Sequence, residues 1–224
     1  MTPLRYDADD RLDIGGARER GRDMRPETRA MRRRRQQLSD DETLEILRRG
    51  SYGTLAVVGD GGYPYAVPVN YVWHEGHIYL HCATTGHKLD AIAADDRVSF
   101  CVVDADDVVP AEFTTYFRSA IAFGRAHVVE DPGEKLASLQ ALGRKYYPGH
   151  EDALAAEVKA GYDRLVMVRV DVERATGKEA IELVRKRAQG AGAARGPQGN
   201  GAQGADMQGD GADGDERGAA GADV

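Results

Sequence analysis

Cysteine is nearly absent: Cys82 and Cys101 are the two in 224 residues, and they lack CxxC spacing. That excludes a disulfide framework and a cysteine-based zinc site, and both thiols read as buried. Long apolar runs are missing too. No stretch approaches the roughly 18 consecutive apolar residues of a membrane-spanning helix, and the opening "MTPLRYDADDRLDIGG" lacks the apolar core of a secretory signal. A cytoplasmic protein with no membrane partner is expected. A basic excess is also absent, since 30 Lys and Arg face 37 Asp and Glu for a net charge of -7. Residues 1–37 hold 11 Arg against 7 acids and residues 188–224 hold 2 Arg against 6 acids, so residues 38–187 carry -7 by themselves. Phosphate neutralisation by Lys and Arg supplies most nucleic-acid affinity, so nucleic acid is disfavoured as a partner, and "MRRRRQQ" at 31–37 reads as a solvated lead-in.

What is present divides the chain into three. Residues 1–37 form an Arg-rich N-terminal extension expected to be disordered. Residues 38–187 form the folded domain. Residues 188–224, with 11 Gly in 37 residues and few large apolar side chains, read as a disordered tail, because no burial offsets the entropy of ordering them.

Within the domain, "LSDDETLEILRRGSYG" predicts a helix with a capping box from Ser39 and Glu42 and a stop at Gly50. The period then changes. "YGTLAVVG", "YPYAVPVNYVW" and "HIYLHCA" predict three strands of a meander, turning at Asp60, Gly61 and Gly62 and again at His74, Glu75 and Gly76. "GHKLDAIAAD" predicts a short helix, "RVSFCVVDA" and "TTYFRSAIAFGRAHVVED" further strands, and "RLVMVRVDVERATG" the last strand. Before that strand come two helices, one opened by Pro132 with Leu136, Leu139 and Leu142 on a common face, the other "HEDALAAEVKAGY". The expected fold class is mainly β (α+β): an antiparallel barrel with peripheral helices.

Chemistry-bearing residues gather where "IYLHCATTGHKLDAIAAD" passes from strand to helix. If Thr85 caps the helix, the free N–H groups of its first turn face the same space as the Lys88 ammonium, which outlines a phosphate cradle. The same residue types also serve plain helix capping. His81 shares a strand face with Tyr79 and points toward this corner, either as a ligand contact or as a structural histidine. His74 and His77 flank a tight turn and diverge, so no metal site is expected. Two prolines in "YPYAVPVNYVW" mark an edge or broken strand, whose free main-chain groups near Val67, Pro68, Val69 and Asn70 can meet a planar polar ligand.

These segments, in this order and spacing over residues 39–179, resemble the pyridoxamine 5'-phosphate oxidase-like FMN-binding split-barrel superfamily, in its branch related to 5-nitroimidazole resistance (Nim) proteins. The resemblance implies a six-stranded split barrel that forms a homodimer, with FMN in grooves between subunits. It places Lys88 at the flavin phosphate with Thr84 and Thr85 in the turn before it. It sets Pro68, Val69, Asn70 and Tyr71 beside the isoalloxazine ring, and His81 near the flavin as the candidate catalytic residue. The implied activity is that of an FMN-dependent oxidoreductase, with a reduced nicotinamide as possible donor and a small aromatic molecule as acceptor. Haem or a deazaflavin in the same groove, or cofactor binding without turnover, are the alternatives the superfamily allows.

Overall fold

The computed structural model describes residues 30–194. Most of the Arg-rich extension and the tail beyond residue 194 lie outside the described residues, so the disorder expected of them does not come into view.

The first helix, α1 (Asp40–Arg49), starts as its sequence dictates: the Ser39 side chain accepts from Glu42 N–H, and the Glu42 carboxylate accepts from Ser39 N–H. Thr43, Leu44, Ile46 and Leu47 form its buried side. The strands β1 (Tyr52–Val58), β2 (Pro64–Asn70), β3 (Val72–His74), β4 (His77–Ala83), β5 (Arg97–Val109), β6 (Thr114–Val128) and β7 (Leu165–Glu179) form one antiparallel sheet in the order β2-β1-β5-β6-β7-β4-β3. Helices α2 (His87–Ala94), α3 (Pro132–Tyr146), α4 (Glu151–Gly161) and α5 (Ile181–Ala194) complete the chain.

The sheet has seven strands where six were expected, and the reason is specific. The run expected as one strand at 63–73 breaks at Tyr71. Its first part pairs with β1 and its second with β4, at opposite ends of the strand order. One residue therefore carries the chain from one edge of the sheet to the other, and this crossing curls the sheet into a split barrel.

Alternation sorts side chains into two cores. Leu55, Ile78, Leu80, Phe100, Val102 and Val168 fill the barrel interior. Tyr79 and Met167 point the other way and pack with Leu139, Leu142 and Val158 of α3 and α4. Each fully buried large apolar side chain contributes roughly 1.5–3 kcal/mol, so the helical layer is an integral part of the fold.

Several expectations are corrected. Gln36 is buried, and Leu38 N–H donates to Gly177 O at 3.0 Å, so the end of the expected disordered extension is tied to β7, while the arginines at 32–35 stay exposed. Helix α5 runs through the expected domain limit at 187, anchored by ion pairs from Arg187 to Glu42 and to the buried Glu179. In α3, Leu136 is exposed and the buried residues are Ser138, Leu139, Ala141 and Leu142, because a strict three-residue spacing drifts off a 3.6-residue period. Cys82 and Cys101 are free thiols, the first buried and the second half-buried.

Candidate functional site

The break at Tyr71 organises the site. A residue between two strands leaves its N–H and C=O outside both ladders, and burial makes that costly. Helix α3 supplies the partners. Tyr71 N–H donates to Tyr146 Oη at 3.0 Å, and that hydroxyl also reaches the carbonyls of Tyr71 and Ser51. Lys145 Nζ donates to Tyr71 O at 2.9 Å and to Gly50 O at 2.6 Å, and lies 4.1 Å from the centre of the Tyr71 ring. The ring is fully buried, and its hydroxyl donates to Leu47 O at 2.7 Å. Burial pulls the Lys145 ammonium down to about 8 and pushes the Tyr71 phenol well above its ordinary value.

Among the residues expected to line a cofactor, this separates Tyr71 from the rest. Its main-chain groups are engaged by α3 and its ring belongs to the core, so it is a structural pivot without free groups for a ligand. Trp73, two residues on, likewise packs against the barrel core. The other members alternate along β2: Pro68 and Asn70 are exposed, while Val69 is half-buried against the barrel interior. β2 pairs with β1 alone, so its outer edge is open, and Pro64 and Pro68 occupy that edge strand without loss of a central ladder. Asn70 Nδ2 donates to Ser51 O at 3.2 Å, which fixes the amide at the strand end.

On β4, register pairs His81 with Met167, so His81 leaves the barrel interior and faces the helical layer. Although its ring reaches solvent, desolvation against the sheet, and then the nearby charge of Lys88, hold it below its ordinary value. The same ammonium acts electrostatically on Cys82, whose thiol burial pushes up. The charge of Lys88 thus reaches His81 across the strand-to-helix corner.

The corner itself differs in one respect. Helix α2 is capped by Gly86 at φ 139 and ψ 164, with no side-chain cap, so the proposed capping role of Thr85 is not what the structure shows. Thr84 and Thr85 are exposed in the turn. Gly86 occupies a backbone region that only glycine adopts easily. No hydroxyl folds back onto the first turn of α2, where Leu89 N–H already donates to Gly86 O at 2.8 Å. Among the described residues no carboxylate pairs with Lys88. His87, at the same turn, stacks on Tyr65 of β2 with ring centres 4.3 Å apart, docking the start of α2 on the β1–β2 hairpin. His77 approaches Asp171 at 2.8 Å while His74 lies 3.8 Å from Glu75, yet the two are paired directly across the β3–β4 turn with both rings 6.1 Å from that of Tyr79, so the expected divergence is not what the register gives.

Sequence reasoning missed the other wall. Asn70 and His81 open onto a cleft of about 840 Å³ between the barrel and the α3–α4 hairpin. Its far side is built from Leu139, Leu142, Leu154, Val158 and Leu165, with Tyr146 beside the Tyr71 break. Gly143 lets the two helices close up, since a Cβ there would sit 2.2 Å from Leu154 Cδ1. One signal was available: Lys145 and Tyr146 follow Leu142 on the buried side of α3, and a lysine there needs an internal acceptor.

The sequence profile of the pyridoxamine 5'-phosphate oxidase family matches residues 39–179. No curated protein matches the chain. Among solved structures, a conserved hypothetical protein from Mycobacterium tuberculosis is 23% identical, covering 71% of this chain and 93% of that one with a TM-score of 0.60. A flavocytochrome from Azotobacter vinelandii is 20% identical, covering 70% and 74% with a TM-score of 0.58. A candidate 5-nitroimidazole antibiotic resistance protein from Bacteroides thetaiotaomicron is 21% identical, covering 64% and 86% with a TM-score of 0.53. At these identities the likeness is one of fold. No described helix is long and apolar enough to cross a membrane.

Proposed function

This chain belongs to the pyridoxamine 5'-phosphate oxidase family, and on that premise we propose that it binds FMN and works as a flavin-dependent oxidoreductase on a small aromatic acceptor. The observation that carries the reading is the corner at α2. An ammonium without a carboxylate partner among the described residues stands beside an uncapped helix start and two exposed threonines. A dianionic phosphate answers all three features: it would pair with Lys88, accept from the His87 and Lys88 N–H groups that open the helix and from the Thr84 and Thr85 hydroxyls, and be favoured by the helix dipole. The exposed residues of β2, Pro68 and Asn70, would flank the ring system, with Val69 behind them.

Bound flavin would supply two-electron transfer from a reduced nicotinamide. The chain's own residues bind, orient and exclude water. His81, whose desolvation favours the neutral imidazole, would donate a ring N–H hydrogen bond to the acceptor, and in its protonated form would hand over a proton as the acceptor is reduced and regain it from solvent. A homodimer belongs to this reading. It is supported by the open edge of β2 and by the exposure of Pro68, Asn70, His81, Thr84 and Thr85, which a second copy would cover. A reduction of nitroimidazoles is the finer form of the proposal.

A haem-carrying alternative has one feature in its favour, an exposed His81 imidazole with no hydrogen bond among the described residues. The visible spectrum of purified protein titrated with FMN, and separately with haem, tests both. A bound-flavin spectrum that bleaches anaerobically on adding NADH or NADPH is the expected result. Absence of flavin uptake overturns the proposal, and a haem spectrum in its place would move the assignment to the alternative.

A further inference from the structure

The Arg-rich run before α1 and the helix α5 lie at opposite ends of the described chain, yet the fold sets them side by side. The short 3₁₀ turn Arg34–Gln36 packs beside α5. Gln36 is buried, and Gln37 bridges to Lys178 of β7, just before α5 begins. Arg187 turns inward onto Glu42 and Glu179, which fixes α5 on the domain. Arg32, Arg33, Arg34, Arg35, Arg185 and Lys186 are left exposed. We infer that these six side chains form one docking surface for the phosphate backbone of nucleic acid, bound without regard to sequence.

The fold segregates charge to make this surface. Residues 30–38 and α5 together hold seven Lys and Arg against one carboxylate, Glu182, whereas residues 38–180 hold 14 basic side chains against 23 acidic ones. A negative total speaks against nucleic acid only while charge is spread evenly, and here it is not. Glu42 and Glu179 are shared between Arg187 and Arg118. Among the described residues, Arg32, Arg33, Arg34, Arg35 and Arg185 form no ion pair. Lys186 Nζ lies 4.2 Å from the centre of the Tyr116 ring, a contact that holds the ammonium in place without neutralising it.

Composition chooses the class of polyanion. All but one of the six are arginines, whose planar fork matches a pair of phosphate oxygens. A duplex carries one negative charge per roughly 1.7 Å of its axis, dense enough to meet a tight cluster at several points and to release its counterions. Firm attachment to a lipid surface needs an apolar element that enters the acyl boundary, and none of the exposed large apolar side chains lies on either segment. The exposed Val108 and Phe113 sit on the β5–β6 hairpin with Asp106, Asp107 and Glu112, which an anionic membrane repels.

The test is fluorescence anisotropy of a labelled DNA duplex of about 20 base pairs and arbitrary sequence, titrated with the full chain between about 50 and 200 mM salt. Micromolar binding is expected at the lowest salt, with log affinity falling against log salt at a slope of roughly -3 to -5. Arg34→Ala combined with Arg35→Ala should weaken binding about tenfold or more. Arg185→Ala, on the α5 side, should weaken it roughly threefold or more and make the slope shallower by about 1. Lys159→Ala removes the same charge from an exposed position on α4 and should leave both unchanged. Vesicles of phosphatidylcholine and phosphatidylserine should bind more weakly than the duplex at every salt concentration. No binding by the parent chain at low salt, equal effects of Arg185→Ala and Lys159→Ala, or preference for the vesicles would each overturn the proposal. None of these readings involves flavin, so failure here is distinct from a failure of flavin uptake.

Discussion

Lys145 and Lys88 each stand near backbone groups, and their surroundings are opposite. Lys145 is half-buried, donates to the carbonyls of Gly50 and Tyr71, and lies against the faces of Tyr71 and Tyr146. Two carbonyls and two aromatic rings of the protein surround its ammonium. Lys88 sits beside an uncapped helix start, and the charge effects it exerts fall on His81 and Cys82. A satisfied internal cation holds a fold together, whereas one beside free N–H groups is arranged to receive an anion from outside.

The comparison breaks most visibly at Lys145. Lys145→Met keeps the stem and removes the ammonium, leaving Gly50 O without its donor. We expect a loss of about 2–3 kcal/mol, read as a lowered denaturation midpoint with an unchanged slope. Relief of the ammonium's desolvation works against this loss, and a variant as stable as the parent would show that desolvation cancels the staple.

The pH dependence has a worked sign. Lys145 is lowered from 10.5 to about 8, so between these values the unfolded chain binds the extra proton and folding strengthens as pH rises. The Tyr71 and Tyr79 phenols are raised above their ordinary value of 10.0, so above that pH the folded chain retains protons the unfolded chain sheds, and stability falls. Maximum stability is expected between about pH 8 and pH 10, after a gain of about 1–2 kcal/mol from pH 7. Thermal melts across that range test it, and the gain should vanish in Lys145→Met.

At the other lysine the effects reverse in kind. Lys88→Ala should change stability by less than about 0.5 kcal/mol while weakening FMN binding roughly tenfold or more; a large stability loss would make Lys88 structural. The smallest expected effect is on His81. Its titration, followed by NMR, should move upward in Lys88→Ala, and only part of the way to the ordinary value, because desolvation is the larger cause and remains.

Much of the fold was legible in local chemistry. The Ser39 and Glu42 capping box, the Pro132 opening of α3 and the alternation of β1 and β6 are written in short windows, and each appears where those windows place it. The corner was half legible. A polar turn before a helix brings Lys88 toward His81 as the residue types suggest, but Gly86 displaced Thr85 as cap because its φ of 139 sets the helix start one residue later. The α3–α4 cleft was not legible, because its walls come from β2, β4 and two helices more than 50 positions further along the chain.

By itself the sequence determined the periods, the caps and the turns, and with them a β-rich domain carrying a cation at a helix start. Those features depend on neighbours a few residues apart, where backbone geometry fixes what can touch what. Only the tertiary structure decided that the strand at 63–73 breaks at Tyr71, that Lys145 and Tyr146 repair the break, and that Asn70 and His81 share a cleft. The cost of burying an unpaired peptide group is paid by whichever side chain arrives there, and only the packed chain determines which one that is.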